Sequence, residues 1–359
     1  MRSGTSKALA ALLSVLITLV ALEVSLRFAY QRSMDFDMEM WKYAVRLKRP
    51  VPETNIRFVQ IPNTAAFLMG VDVRLNSHGL RGPDFSLTKA PGTYRILMLG
   101  DSTTFGWGVR EEDTIAQRLQ SMLNNQAKGV SYEVINAGIG NYNTVQEVAY
   151  FNRFGRALDP DLVILTFFVN DPEPLPNTHT SILSRNSYLE AFLSSRIDRL
   201  LRVGRMLPDW KDYYTSLYTE SNPGLHPCVE ALKSFGGARD RTNLLVALLP
   251  ELRHLNAGQL PFRRDYEKIE AVLNENAIAF TDLTATLADK GPESNLWVSA
   301  YDDHPNAVAN RLIAAHLADV IRSRKGATKL ELDNCPSQAC RPLPTTQRDV
   351  PSKLVGPER

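Results

Sequence analysis

Four short polar segments bring together residue types able to do covalent chemistry. They are Gly100-Asp101-Ser102-Thr103, the run Asn136-Ala137-Gly138-Ile139-Gly140-Asn141-Tyr142-Asn143-Thr144, Val169-Asn170-Asp171, and Asp302-Asp303-His304-Pro305-Asn306. A serine hydroxyl attacks an acyl carbon only when an adjacent base takes its proton, and a histidine oriented by a carboxylate is such a base. Ser102 and His304 are the candidates for these two parts. Alone, Gly-Asp-Ser-Thr reads as an ordinary turn. Asp-Asp-His also contains metal-ligand types, but three contiguous side chains rarely converge on one ion. Asp101 and Asp171 suit loops in which a carboxylate binds backbone N–H groups. Phe105 and Trp107 either shape an acyl pocket or pack the core. His78, His179, His226, His254 and His316 have no accompanying motif and read as surface or packing residues.

The elements that must position these groups follow an alternating pattern. Arg95 to Leu99 is a short apolar run ending at Gly100, which reads as a buried parallel strand. Asp113 to Asn124 follows with Ile115, Leu119 and Leu123 on one helical face. Tyr132 to Asn136, Asp161 to Val169, Asn243 to Leu249 and Ala277 to Leu283 read as further strands, with a helix over Thr144 to Phe154. An amphipathic helix over Ala307 to Ile321, its start marked by Pro305, closes the series. Such alternation predicts an α/β three-layer sandwich around a parallel sheet, with ligands bound outside the carboxyl ends of the strands. All four polar segments then fall near that edge. Residues 172–240 read as an insertion beside the site, with a helix near Tyr188 to Leu201. Its Trp210, Tyr213, Tyr214 and Tyr218 either line a substrate groove or, the preferred reading, pack a small core of the insertion itself.

Serine, glycine, asparagine and histidine in this chain order resemble the SGNH (GDSL-like) hydrolase family over roughly residues 93–323. The resemblance implies a flavodoxin-like fold, Ser102 as nucleophile and His304 as base. It also implies an oxyanion hole made by the Ser102 N–H, a backbone N–H from Gly140 or Asn141, and the Asn170 amide. Register favours Asn141, leaving Gly138 to serve the turn. The family's acid commonly stands three residues before the histidine, where this chain has Tyr301. Asp302 and Asp303 remain, and Asp302 is the better placed to curl back to the imidazole in a tight loop. Such a mechanism needs no cofactor and no metal.

The rest of the chain sets the location. Ala8 to Leu22 is an uncharged apolar run preceded by Arg2 and Lys7, close to the roughly 20 residues a helix needs to cross a bilayer. The basic flank favours a cytoplasmic N-terminus. An uncleaved anchor over residues 1–30 is preferred to a cleaved signal peptide, because no small-x-small site follows; Glu23 is then assigned to the outer interface. Residues 31–92 read as an extended lead-in on the surface of a main domain over 93–324, and the proline-rich 325–359 as a disordered tail. Cys335 and Cys340 either pair or remain separate thiols, with Cys228 left over. At 359 residues, 44% hydrophobic, with 41 basic and 39 acidic residues, the chain has a net charge of only +2 and implies no nucleic-acid partner. The apolar helix points to an inner-membrane, externally facing enzyme, and the resemblance to the SGNH family implies acylated carbohydrate or a small ester as substrate, with export or polysaccharide-assembly proteins as partners. A polysaccharide O-acetyltransferase and a non-catalytic carbohydrate-binding export component are the alternatives.

Overall fold

The computed structural model describes residues 2–52, 55–127, 129–176, 181–236, 243–255, 260–288 and 290–333. Cys335, Cys340, His179 and the tail beyond residue 333 lie outside these. The chain opens with α1 (Arg2–Ala29) and α2 (Phe36–Arg46), then enters the sheet through β1 (Thr93–Gly100). There follow α3 (Ser102–Phe105), α4 (Ile115–Asn124), β2 (Ser131–Gly138), α5 (Thr144–Arg153) and β3 (Leu162–Phe167). The insertion contributes α6 (Ile182–Asn186), α7 (Tyr188–Val203) and α8 (Leu225–Gly236). Beyond it come β4 (Asn243–Leu248), α9 (Arg263–Glu275), β5 (Phe280–Asp282), a hairpin of β6 (Trp297–Ser299) and β7 (Asp302–Pro305), and α10 (Ala307–Asp333).

The five-stranded sheet is parallel throughout, in the order β2-β1-β3-β4-β5. This is the flavodoxin-like order, whose switch point lies between β1 and β3. Alternation along the strands divides the core. Leu97, Leu99, Val163, Leu165 and Val246 face Phe151, Leu232, Ile269 and Leu273 of α5, α8 and α9. Ile96, Met98, Leu162, Ile164 and Leu245 face Ile115, Leu119, Ile313 and Leu317 of α4 and α10. Both sheet faces are covered, which is why the strands read as continuous apolar runs.

Three expectations are corrected. Residues 31–92 are not an extended lead-in. Asp35 caps α2 by accepting from the Met38 N–H at 3.2 Å, and two short antiparallel pairs follow, Lys48–Pro50 with Phe58–Gln60 and Ala65–Leu68 with Val71–Arg74. Tyr43, Leu47, Leu68 and Val73 bury themselves against Phe105 and Trp107, so burial decides the form of a segment whose mixed composition gives little local signal. Pro305 does not start the last helix. It ends β7, and Asn306 is the cap, accepting from Val308 N–H (2.9 Å) and Ala309 N–H (3.1 Å). That helix continues to Asp333, past the expected end at Ile321, through a stretch over 322–333 that carries Arg, Lys, Leu and Glu, residues of good helix propensity.

Helix α1 includes an apolar stretch, Ser6–Ala29, long enough to cross a membrane; a signal sequence passes the same test. Its acidic residue is tied to the insertion. Glu23 accepts from Ser187 Oγ (2.9 Å), Tyr188 N–H (3.0 Å) and Leu189 N–H (2.9 Å), and Arg27 donates to the Asn186 carbonyl (2.7 Å). The carboxylate thus satisfies N–H groups at the start of α7 that have no intrahelical partner. Glu23→Ala is expected to destabilise the fold by about 1 kcal/mol and to speed hydrogen exchange at Tyr188 and Leu189. Unchanged exchange there would remove the cap from this account.

Candidate active site

Ser102, two residues past the end of β1, is the first residue of α3, with Asp101 between them as the cap, accepting from Thr103 N–H and Thr103 Oγ (2.8 Å each). The junction is tight. Gly100 has φ +156, and a Cβ there would lie 2.1 Å from Thr104 Oγ1, so no other residue fits the strand end. Gly138, expected in a turn, instead ends β2, where a Cβ would come within 2.3 Å of the Phe105 nitrogen. Its missing side chain lets β2 approach the helix that begins at Ser102.

Ser102 Oγ lies 2.8 Å from His304 Nε2, and His304 Nδ1 lies 2.6 Å from Asp302 Oδ1. In the neutral Nδ1–H tautomer the imidazole donates to Asp302 and accepts from the serine. Asp302 succeeds two residues before the histidine because both lie on strand β7 rather than in a loop. Strand alternation puts residues i and i+2 on one face, and Asp303, on the other, pairs with Arg253 at 2.8 Å. Tyr301 is 90% exposed and takes no part. Asp302 also accepts from the His304 N–H (3.1 Å) and from Trp107 Nε1 (3.0 Å). Trp107 is therefore neither pocket wall nor simple filler, since its indole N–H helps orient the carboxylate.

Burial disfavours the charged imidazole, but Asp302 outweighs it and holds the His304 pKa above its ordinary value, with Asp303 and Asp101 adding to the effect. Burial likewise disfavours the Asp302 carboxylate, yet His304 and the hydrogen bonds it receives hold its pKa below the usual range. The two groups are thus poised as an ion pair when the imidazole is protonated. Phe36 of α2 stacks on the imidazole, with ring centroids 5.6 Å apart.

The two other expected positions differ in character. The Gly140 N–H already donates to the Tyr43 hydroxyl at 3.0 Å, whereas Asn141 adopts φ +65, a conformation normally taken by glycine and, among other residues, best tolerated by asparagine. Asn170 follows β3, and its Nδ2 makes only a long 3.5 Å contact with Asp101 Oδ2. Ser102 and Asn170 thus flank the switch point between β1 and β3. Asp171 accepts from the Phe168 N–H at 2.6 Å, in a loop-holding role.

A cleft of about 150 Å³ opens beside His304, lined by Phe36, Phe168, Tyr214, Leu252 and Arg253 among others. The insertion's aromatics divide their work. Tyr214 lines this cleft, while Tyr218 is buried in the main core with Trp210 and Tyr213 packed against it, rather than in a separate core of the insertion. His78 bonds the Phe85 carbonyl, His316 bridges Thr281 and Thr286, and His254 stacks on Trp210. Phe36, Tyr43 and Trp107 carry no motif in the sequence, and isolated aromatics in a mixed segment give no signal of a catalytic neighbour.

A hydroxyl, an imidazole and a carboxylate in series at the carboxyl edge of a flavodoxin-like sheet are the groups that serine acyl chemistry uses. The chain belongs to the GDSL-like Lipase/Acylhydrolase family, which matches residues 98–312, and with it to the enzymes that hydrolyse ester bonds. Similar solved structures include a two-domain esterase active on acetylated mannans (16% identity, 71% of this chain and 54% of that chain, TM-score 0.42). They also include a lipase/acylhydrolase from Enterococcus faecalis (16%, 64% and 96%, TM-score 0.41) and an acetyl xylan esterase (17%, 63% and 99%, TM-score 0.40). The match spans about half the length of the two-domain esterase. No curated protein matches the chain.

The raised imidazole pKa has a direct readout. In an NMR titration His304 is expected to lose its proton above the ordinary histidine midpoint, and Asp302→Asn to lower that midpoint, because burial then acts with less opposition. Stability follows the same sign. The charged pair stabilises the fold below the unfolded histidine midpoint, and this contribution is lost as pH rises through the raised one. A midpoint unmoved by Asp302→Asn would contradict the assigned cause.

Proposed function

We propose that this chain is a serine-dependent ester hydrolase that removes O-acyl groups, acetyl foremost, from carbohydrate outside the cytoplasmic membrane. The observation that carries the reading is the unbroken series Ser102 Oγ, His304, Asp302 at 2.8 and 2.6 Å. In the proposed reaction His304 Nε2 takes the Ser102 proton as Oγ bonds to the ester carbonyl carbon, and the carbonyl oxygen becomes an oxyanion. The Ser102 and Asn141 N–H groups and the Asn170 amide stabilise that charge, each donor worth on the order of 3 kcal/mol. Collapse breaks the carbon–oxygen bond to the sugar, whose oxygen receives the proton from His304. Water, deprotonated by the same imidazole, then releases the acid from Ser102.

The small cleft beside His304 suits a short acyl group. A larger groove of about 830 Å³ runs between the lead-in and the insertion and reaches Asn141. Its wall combines Trp41 and Phe58 with Arg49, Glu173, Glu190 and Asn143. Rings beside charged side chains can hold a polyhydroxy ligand by stacking and hydrogen bonds, the mode of binding this reading requires.

The contacts of Glu23 and Arg27 with the insertion support an α1 that remains attached as a single-pass anchor, with Arg2 and Lys7 on the cytoplasmic side. The domain organisation proposed is an anchor over 1–30, a lead-in over 31–92 that completes the site, a hydrolase domain from 93 to the end of α10 at Asp333 with its insertion over 172–240, and a tail from 334. Export or polysaccharide-assembly proteins are the partners this location favours.

The full chain in detergent is expected to hydrolyse p-nitrophenyl acetate, to release acetate from an acetylated oligosaccharide, and to be labelled at Ser102 by a fluorophosphonate. Ser102→Ala and His304→Ala should each lower kcat by at least about 10³-fold. Acetate transfer to a sugar acceptor with no release to water would replace the hydrolase by a transferase. A folded wild-type chain with neither turnover nor label would favour a carbohydrate-binding component.

A further inference from the structure

Two cations of the lead-in are buried against neutral oxygens. Lys48 is 6% exposed, and its ammonium donates to the Gly140 carbonyl and to Asn141 Oδ1, 3.0 Å each. It lies 4.6 Å from the Tyr43 ring centroid and 4.2 Å from that of Phe58. Arg81 is 2% exposed and donates to the carbonyls of Phe105, Gly106 and Val109, across the loop that carries Trp107. Among the described residues, every hydrogen bond of these two groups ends on a carbonyl or amide oxygen. Burial pushes Lys48 down to about 7 and, against the opposing pull of Glu111, Tyr43 and Glu112, Arg81 down to about 10. Cations buried for stability are usually paired with carboxylates, because unpaired burial is expensive.

We infer that Lys48 and Arg81 are positioning residues, Lys48 for the turn that supplies the Asn141 N–H and Arg81 for the loop that presents Trp107 to Asp302, so that the lead-in is a working part of the active site. The inference rests on the serine mechanism proposed above. Lys48 holds the turn in which Asn141 keeps φ +65, a left-handed state that asparagine tolerates and that the two Lys48 hydrogen bonds hold in place. Its neighbours complete the hold. The Tyr43 hydroxyl accepts from the Gly140 N–H, and Gln60 Nε2 donates both to that hydroxyl (2.9 Å) and to the Gly138 carbonyl (3.2 Å). Arg81 holds the loop after α3. It ties together the end of α3, which begins at Ser102, and the loop through left-handed Gly106 and Gly108. The same loop presents Trp107 to Asp302. A cation with several donors suits this task, since one side chain satisfies two or three diverging oxygens at once. The lead-in lies outside the family match over residues 98–312.

The test uses the full chain in detergent with Lys48→Met, which keeps the stem and removes the donors, and Tyr43→Phe, which keeps the ring and removes the acceptor. Thermal unfolding, kcat and KM for p-nitrophenyl acetate, and the rate of fluorophosphonate inactivation are measured for each. Losing an oxyanion donor costs about 10²- to 10³-fold, so a displaced one is expected to lower kcat roughly 10- to 100-fold in Lys48→Met. Inactivation should slow in parallel, with KM changed less than about twofold, because the donors act on developing charge rather than on bound substrate. Tyr43→Phe should move the same quantities in the same direction, and it decides the matter if Lys48→Met does not fold. Folded variants that keep wild-type kcat and inactivation rates, or that raise KM alone, overturn the positioning role while leaving the serine mechanism standing. A wild-type chain that is neither active nor labelled overturns both.

Discussion

Ser102 and His304 stand 202 residues apart in the chain and 2.8 Å apart in space, and the surrounding layers are arranged so that this contact can exist. The serine arrives at the end of a central strand. The histidine arrives on a hairpin that follows the edge strand β5 in the chain, with β7 lying against α3, before α10 packs beside α4. Fixing both ends needs a rigid frame. The parallel sheet supplies it because helices on both faces leave no strand free to shift without opening apolar surface to water.

Within that frame the polar groups near the site hold one another by direct hydrogen bonds. Asp302 receives the imidazole N–H, a backbone N–H and the Trp107 indole, so rotation of the carboxylate would break several bonds together. Phe36 limits tilt of the imidazole from the other side. This over-determination matters chemically, since misplacing a base or a donor by an ångström costs more rate than most changes in affinity. Some of the holding groups come from the segment before the sheet. The region ahead of β1 therefore behaves as a shell around the site rather than as a tether between anchor and domain.

Much of the frame was legible beforehand. Apolar runs over Arg95–Leu99 and Asp161–Val169 and the face of Ile115, Leu119 and Leu123 mark strands and a helix, because burial on two faces or one leaves a period in the chain. Ser102, Asn170 and His304 were legible as candidates by their order and their places after strands. The lead-in was not. Phe36, Tyr43, Lys48 and Arg81 act through contacts with residues dozens or hundreds of positions away, and no local period records such a contact. Edge elements were also poorly marked. The fifth strand shrinks to Phe280–Asp282, and the last helix outruns its apolar face, since pairing at an edge and propensity at a helix end leave weak patterns.

The amino-acid sequence by itself determined the alternation of strands and helices, the apolar first helix, and the residue types able to perform acyl chemistry. Those follow from local periodicity and from what each side chain is. Tertiary structure alone decided which carboxylate meets the imidazole, because strand alternation turns Asp302 toward His304 and Asp303 toward Arg253. It also decided which N–H of the second segment is already engaged and which cations of the lead-in are buried. Each of these depends on distance in space between groups remote in the chain, a quantity fixed by packing.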